Sequence, residues 1–277
     1  MQKLASGALA KMRVDLADEV KYTLLLDDEA IVMNDLIGRP LSIEYHGAIS
    51  CQHCGRKTNK SFSQGYCYPC FKKLPQCDSC IVSPEKCHYA EGTCRDPSWG
   101  EEFCFQSHYV YLANSSGVKV GITRGTQIPT RWIDQGAVQA LPIMLVTNRR
   151  LSGLVETVFK QQVADKTNWR AMLKGQVDDL DLKAIRDQLY TDLAPQLSEL
   201  ESEFGLQSMQ RLESAEQVNI RYPVLEYPTK VSTFNLDKVP EVSGTLVGIK
   251  GQYLILDTGV INIRKFTSYQ VTVSAEV

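Results

Sequence analysis

No apolar run in this sequence reaches the ~18 residues that a membrane-spanning helix requires, which speaks against a membrane partner. The opening stretch, MQKLASGALAKMRVDL, lacks the continuous apolar core of a secretory signal. The expectation is therefore a cytoplasmic protein. Net charge is nearly absent as well: the formal value is −2 and the pI about 6.1, which by itself argues against nucleic acid as a partner. Cysteine is missing before residue 51 and after residue 104, so all nine lie between Cys51 and Cys104. Disulfides are rare in a reducing compartment. Thiols used merely for packing would be dispersed along the chain, so this clustering points to metal.

What is present is uneven. Residues 51–73 carry Arg56, Lys57, Lys60, Lys72 and Lys73 with no acid, and 119–174 carry nine Lys and Arg against Asp134, Glu156 and Asp165. Residues 178–216 reverse the sign, with ten Asp and Glu against Lys183, Arg186 and Arg211. A basic middle and an acidic region cancel in the total.

With 277 residues the chain has room for two or three domains. Residues 1–50 read as a β segment: VKYTLLL, EAIVM and RPLSIEYHGAI are short runs broken by turn chemistry at DD and NDLIG. Residues 51–106 form a Cys-rich region of knuckles and loops. Residues 107–175 read as α/β. YVYLAN and VKVGIT are strands around a Ser-Ser-Gly turn, and PTRWIDQGA opens a helix with Thr126 as N-cap and Pro129 in its first turn. PIMLVT is a third strand. SGLVETVFKQQVAD is an amphipathic helix with Ser152 as N-cap. Residues 176–219 form an acidic helical arm, with Leu at helical spacing over 178–217 and a break at Pro195. Residues 220–277 alternate as β, cut by hairpin signals at KG and DTG. The fold class is α+β, and the terminal β segments are expected to pair into one antiparallel barrel or sandwich with the rest inserted between them.

Cys51, Cys54, Cys67 and Cys70 make C-x2-C-x12-C-x2-C, which is close to the spacing of a tetrahedral structural zinc site. Four thiolates leave no open coordination position, so the metal is structural. Cys77 and Cys80 form a third knuckle. With Cys87 and Cys94 they complete the first choice for a second zinc site, while Cys104 or His88 can replace one ligand, and an iron–sulfur cluster or a redox-active thiol remains an alternative.

The central hairpin has one odd choice. Gly121 interrupts KVGIT, where a strand built only for stability would avoid glycine. It permits close approach of a backbone or a ligand. Tyr109 and Tyr111 share one strand face, as do Lys119, Gly121 and Thr123, with Arg131 and Glu156 in the helices that follow. A Tyr, a Lys, an Arg and a Glu suit phosphodiester chemistry: the Glu holds Mg²⁺ or Mn²⁺, the Arg neutralises phosphate, and Tyr or Lys handles the nucleophile. Read singly, Tyr111 is an ordinary core aromatic, Arg131 and Glu156 a surface ion pair of little worth, and Trp132 and Trp169 packing residues.

YVYLANSSGVKVGITR, TRWIDQGA, LVETVF and NWR together resemble the GIY-YIG endonuclease superfamily over residues 108–170, closest to its branch with a Lys-Ile-Gly-Ile-Thr motif. The resemblance implies a small α/β nuclease fold in which Tyr111, Lys119, Arg131 and Glu156 stand at the family's functional positions and Trp169 matches a tryptophan of that branch. Tyr109 stands where the family motif has Gly, and the helix lacks the family His, Gln135 being nearest. The whole chain also resembles a bacterial family of uncharacterised proteins, a domain of unknown function, on CDSCIVSPEKC, SSGVKVGITR and PTRWIDQGA.

Three readings follow. The first is a zinc-stabilised, metal-dependent nuclease whose backbone-phosphate track runs through Arg56, Lys57, Lys60, Arg124, Arg149, Arg150 and Arg170. The second is a non-catalytic DNA- or RNA-binding protein of the same fold. The third is a zinc-dependent protein–protein adaptor.

Overall fold

The computed structural model describes residues 1–164 and 166–276. The chain opens with β1 (Gln2–Ala8), β2 (Arg13–Asp15), β3 (Lys21–Leu26), β4 (Glu29–Val32) and the long β5 (Pro40–Ser50). The Cys-rich region contributes β6 (Lys57–Thr58), α1 (Tyr68–Lys73) and α2 (Pro97–Cys104), joined by single 3-10 turns. Then come β7 (His108–Asn114), β8 (Val118–Arg124), α3 (Thr130–Asp134), β9 (Gln139–Val146), α4 (Arg149–Phe159) and α5 (Trp169–Leu173). Two helices, α6 (Leu182–Asp192) and the acidic α7 (Ala194–Phe204), precede β10 (Met209–Arg211) and β11 (Val218–Asn219). The chain closes with β12 (Glu241–Lys250), β13 (Tyr253–Leu256), β14 (Gly259–Asn262) and β15 (Tyr269–Ala275).

Every strand pair within the three sheets is antiparallel. The terminal sheet runs β1-β15-β5-β12-β13-β14, with β6 added to the end of β5. Both chain ends thus meet in one sheet. The central sheet runs β10-β9-β7-β8, with β11 also on β9, and β2-β3-β4 form a small third sheet. Among the described residues no sheet closes into a barrel, which corrects the barrel expectation. The terminal sheet is open, and it packs through its core against the central sheet.

Period-two alternation along β7 explains that packing. Val110 and Leu112 face a core completed by Leu151, Val155 and Phe159 of α4, Leu189 of α6 and Leu197 of α7. Tyr111 and Ala113 face the opposite way, into the core shared with Leu254, Ile261, Phe266 and Val271 of the terminal sheet. Burial of each large apolar side chain there contributes about 1.5–3 kcal/mol.

Polar clamps fix α3 against the terminal sheet. Gln252, buried just after the turn at Gly251, accepts from Met12 N (2.9 Å) and donates to Met12 O (3.1 Å) and to Asp134 Oδ1 (2.9 Å). Tyr222 Oη donates to Ala137 O at 2.7 Å. A short helix is marginal alone; these contacts hold it.

Several helix boundaries move. Asn148, not Ser152, caps α4 by accepting from Leu151 N at 2.9 Å, so the helix starts four residues earlier and ends at Phe159. The expected helix ran to Asp165, which lies outside the described residues. Pro129 occupies the N-cap position of α3, where Thr126 sits in a preceding 3-10 turn. The arm is helical over α6 and α7 only. The break expected at Pro195 is there: it is the second residue of α7, where a missing N–H costs nothing, and the run is split into two helices. Beyond Gly205 the chain returns to the central sheet as β10.

Candidate functional site

The first knuckle follows β5 directly. Cys51 N donates to Arg56 O, and Gly55 N to Cys51 O, closing a tight turn that needs the positive φ of Gly55 (+67°). The second knuckle places Cys67 just before α1 and Cys70 within its first turn, while Phe62 stacks on Phe71 beside them. The four Sγ atoms lie within 4.8 Å of one another, and Cys54 and Cys67 are 3.8 Å apart. A tetrahedron with Zn–S bonds of ~2.3 Å has S···S edges of about 3.8 Å. The donor set and spacing are consistent with structural zinc. Burial works to raise the Cys51 thiol, yet backbone N–H groups of Cys54, Cys67 and His53 outweigh it and bring it to about 6, while burial and hydrogen bonds with the other three sulfurs raise Cys70, so the four thiols share protons that a metal would have to displace.

Beside this centre lies a cleft of about 630 Å³, within the range of ligand sites. Three parts of the chain build it. The central sheet supplies its edge strand β8, with Lys119, Gly121, Thr123 and Arg124, plus Arg131 from α3, Gln135 just after it, and Arg149 and Glu156 from α4. The Cys-rich region supplies Gln64, Ile81 and Pro84. The terminal segments supply Lys11, Arg264 and Thr267.

Lys119, Arg131 and Glu156, far apart in sequence, thus line one cavity. Lys119 is buried and its Nζ donates to Thr167 Oγ1 at 2.7 Å. Glu156 is ion-paired with Lys160 at 3.1 Å, one helical turn on. Tyr111 does not line the cleft. It is fully buried behind Gly121, packs edge-on against Trp132, and donates from Oη to Gln135 Oε1 at 3.1 Å. Burial pushes its phenol up, against a smaller opposing effect of Arg131. A phenol held protonated in this way orients Gln135 and Arg131 and is not a ready base.

Of the expected phosphate track, Arg124 and Arg149 line the cleft. Arg56, Lys57, Lys60, Arg150 and Arg170 do not: Lys60 lies over Phe62, Arg150 over Phe204 and Arg170 over Trp169. Trp169 itself stacks on Tyr253 as a packing residue.

The sequence reading missed Lys11 and Arg264. Arg264 donates to Gln64 Oε1, and burial with the nearby Arg131 charge holds its pKa below the ordinary value. Lys11 pairs with Asp134, one of the two acids that line the cleft. No local signal marks either residue, since each reaches the cleft from a chain end. His108 is likewise buried. Its Nδ1 donates to Gln106 O at 2.7 Å, its Nε2 has no partner, and burial brings it down to about 4, so the ring is neutral at pH 7.

Fold and site together define a mixed α+β protein with a four-cysteine cluster that could hold a metal ion, beside a basic cleft. Over residues 38–271 the chain matches the family described as "protein of unknown function (DUF2797)", and it belongs to that family. No curated protein and no solved structure matches it. No helix among the described residues is long and apolar enough to cross a membrane.

Proposed function

We propose that this protein binds nucleic acid in the cleft and hydrolyses a phosphodiester there with Mg²⁺ or Mn²⁺ held at Glu156, in the manner of the GIY-YIG endonucleases that residues 108–170 resemble. The observation that carries this reading is the convergence of Lys119, Arg131 and Glu156 on one cavity rimmed by Arg124, Arg149 and Arg264. Excess positive charge in a concave site concentrates phosphate. Arg131 and Arg264 would stabilise charge on the non-bridging oxygens. Lys119 would orient the attacking water, whose oxygen would bond to phosphorus as the bond to the leaving ester oxygen breaks; the water would lose its proton to solvent and the leaving oxygen would take one up from solvent. The zinc at Cys51, Cys54, Cys67 and Cys70 is structural in this scheme, and a second zinc belongs to the same Cys-rich region.

A second reading, a non-catalytic DNA- or RNA-binding protein of the same fold, is favoured by one contact. Glu156 already faces Lys160, and a divalent cation must displace that ammonium.

The test is cleavage of labelled single- and double-stranded DNA and RNA with Mg²⁺ or Mn²⁺, comparing wild type with Glu156→Gln. Metal-dependent cutting lost in the variant supports the nuclease. Binding by both proteins without cutting supports the second reading, and no binding at low salt defeats both.

A further inference from the structure

Five cysteines lie outside the first metal centre, and the fold separates one from the other four. Cys77 is buried beside Ser63 and within electrostatic reach of Cys51, on the side of the first centre. Cys80, Cys87, Cys94 and Cys104 instead line one separate cavity of about 20 Å³, walled by Tyr89, Trp99 and Phe105. That volume is close to one ion and too small for a ligand molecule. The walls are almost wholly apolar apart from the sulfurs and the Asp78–Arg95 pair.

Three elements bring these thiols together. Cys80 sits in the 3-10 turn capped by Asp78, and Cys87 ends the turn Pro84–Lys86. Cys104 ends α2, whose Gly100 lies beside Cys94: a Cβ there would make ordinary contact, 3.5 Å from Cys94 Sγ. Cys87, Cys94 and Cys104 all act electrostatically on Cys80. The four sulfurs are less tightly drawn together than those of the first centre. The void between them is the space an ion would take.

A competing donor set is Asp78, Cys80 and His88. Its two members other than Cys80 are already engaged, Asp78 and His88 also facing each other at 3.4 Å. The Asp78 carboxylate accepts from Ser79 N (2.6 Å) and pairs with Arg95 Nε (2.9 Å), and His88 Nδ1 bonds Thr93 Oγ1 at 2.8 Å. Arg95 in turn donates to Phe71 O and Leu74 O, at 3.0 Å each, tying this acid to α1.

We propose that Cys80, Cys87, Cys94 and Cys104 form a second tetrathiolate zinc centre, with Cys77 outside it, and that this centre holds Arg149 and one wall of the cleft in place. Four thiolates around Zn²⁺ carry a net charge of about −2. Cys80 and Cys104 lie within electrostatic reach of Arg149, whose Nε is buried without a hydrogen-bond partner and whose Nη2 donates to Ile81 O at 2.5 Å. A buried guanidinium needs a counter-charge, and the zinc tetrathiolate supplies it. The loop between Cys80 and Cys87 also packs directly on α4: a Cβ at Gly153 would stand 2.6 Å from Glu85 N and 2.8 Å from Pro84 Cβ. Metal at this site therefore sets the position of Ile81 and Pro84 against Arg149, whatever the cleft binds.

The test is the metal content of the full-length protein purified from zinc-supplemented medium, read by elemental analysis and by native mass spectrometry. The expected result is two zinc ions per chain in wild type, one in Cys104→Ser and two in Cys77→Ser. One zinc in wild type overturns the proposal, as does loss of an ion from Cys77→Ser with two retained in Cys104→Ser. Iron with acid-labile sulfide also overturns it. If Cys104→Ser fails to fold, Co²⁺ exchange into wild type decides. Thiolate-to-cobalt absorption saturating at two equivalents supports two tetrathiolate centres, and saturation at one refutes them.

Discussion

The ring of Tyr111 lies directly across Gly121. The two residues are register partners on β7 and β8, and a Cβ at 121 would stand 2.6 Å from both Cζ and Oη of Tyr111. The glycine is there for a side chain from the neighbouring strand, not for a ligand. Because Tyr111 is fully buried, it has nowhere to retreat. Gly121→Ala is expected to destabilise the fold by about 1–3 kcal/mol through overpacking and to break the Tyr111–Gln135 hydrogen bond. Urea unfolding checks the first effect. Tyr111→Phe keeps the ring and loses only the hydrogen bond, so its cost should be about 1 kcal/mol.

Removing metal from the first centre should unfold its surroundings. Cys51 and Cys67 are buried where β5 hands over to the Cys-rich region, and without an ion their thiols have no comparable partner. Cys67→Ser, or prolonged chelation, is expected to lower stability by several kcal/mol and to expose residues 51–73 to proteolysis. Zinc added back should restore protection in the chelated wild type and not in the variant. Unchanged protection in the metal-free protein would show that the cluster is not structural.

If the cleft holds phosphates, its two facing guanidiniums should be visible in the salt dependence of binding. Arg131→Ala and Arg264→Ala are each expected to weaken nucleic-acid binding and to reduce the slope of log K against log [salt] by about 1. Arg150→Ala and Arg170→Ala, whose side chains lie over Phe204 and Trp169, should leave the slope unchanged. Fluorescence anisotropy between about 50 and 200 mM salt measures it. Equal effects of all four substitutions would remove the cleft from the binding surface.

Lys250 is a stability liability with a defined pH signature. Fully buried at the end of β12, its Nζ has no hydrogen-bond partner and lies 5.4 and 5.3 Å from the ring centres of Tyr222 and Tyr227. Burial lowers its pKa from 10.5 to about 8. Between those values the unfolded chain binds more protons than the folded one, so stability rises with pH across that window, by on the order of 3 kcal/mol. Below about pH 8 the penalty for the buried charge is fully present. Lys250→Met is expected to stabilise the protein at pH 7 by about 1–3 kcal/mol and to lack the rise above pH 8. The Tyr22 and Tyr222 phenols, which burial raises, act in the opposite direction at still higher pH in both proteins. The readout is therefore the difference between variant and wild type in urea unfolding from pH 7 to 10. Parallel profiles would show that the charge is not penalised.

The sequence by itself determined whatever depends on neighbours in the chain. The C-x2-C-x12-C-x2-C spacing specifies the first metal cluster because two knuckles need only local turns to aim their sulfurs. Alternation specifies that Tyr109 and Tyr111 share a face of β7 and Lys119, Gly121 and Thr123 a face of β8, while the pairing of Tyr111 with Gly121 is set by the register of the folded hairpin. Tertiary structure alone decided the rest. Lys11 and Arg264 complete the cleft only because both chain ends enter one sheet and Gln252 clamps that sheet to α3. Cys104 replaces Cys77 in the second cysteine pocket because α2 folds back over Cys94, a packing that spacing does not encode. α7 ends locally, at the positive φ of Gly205 (+94°), but only the pairing of Met209–Arg211 with β9 decides that the chain then runs into the central sheet.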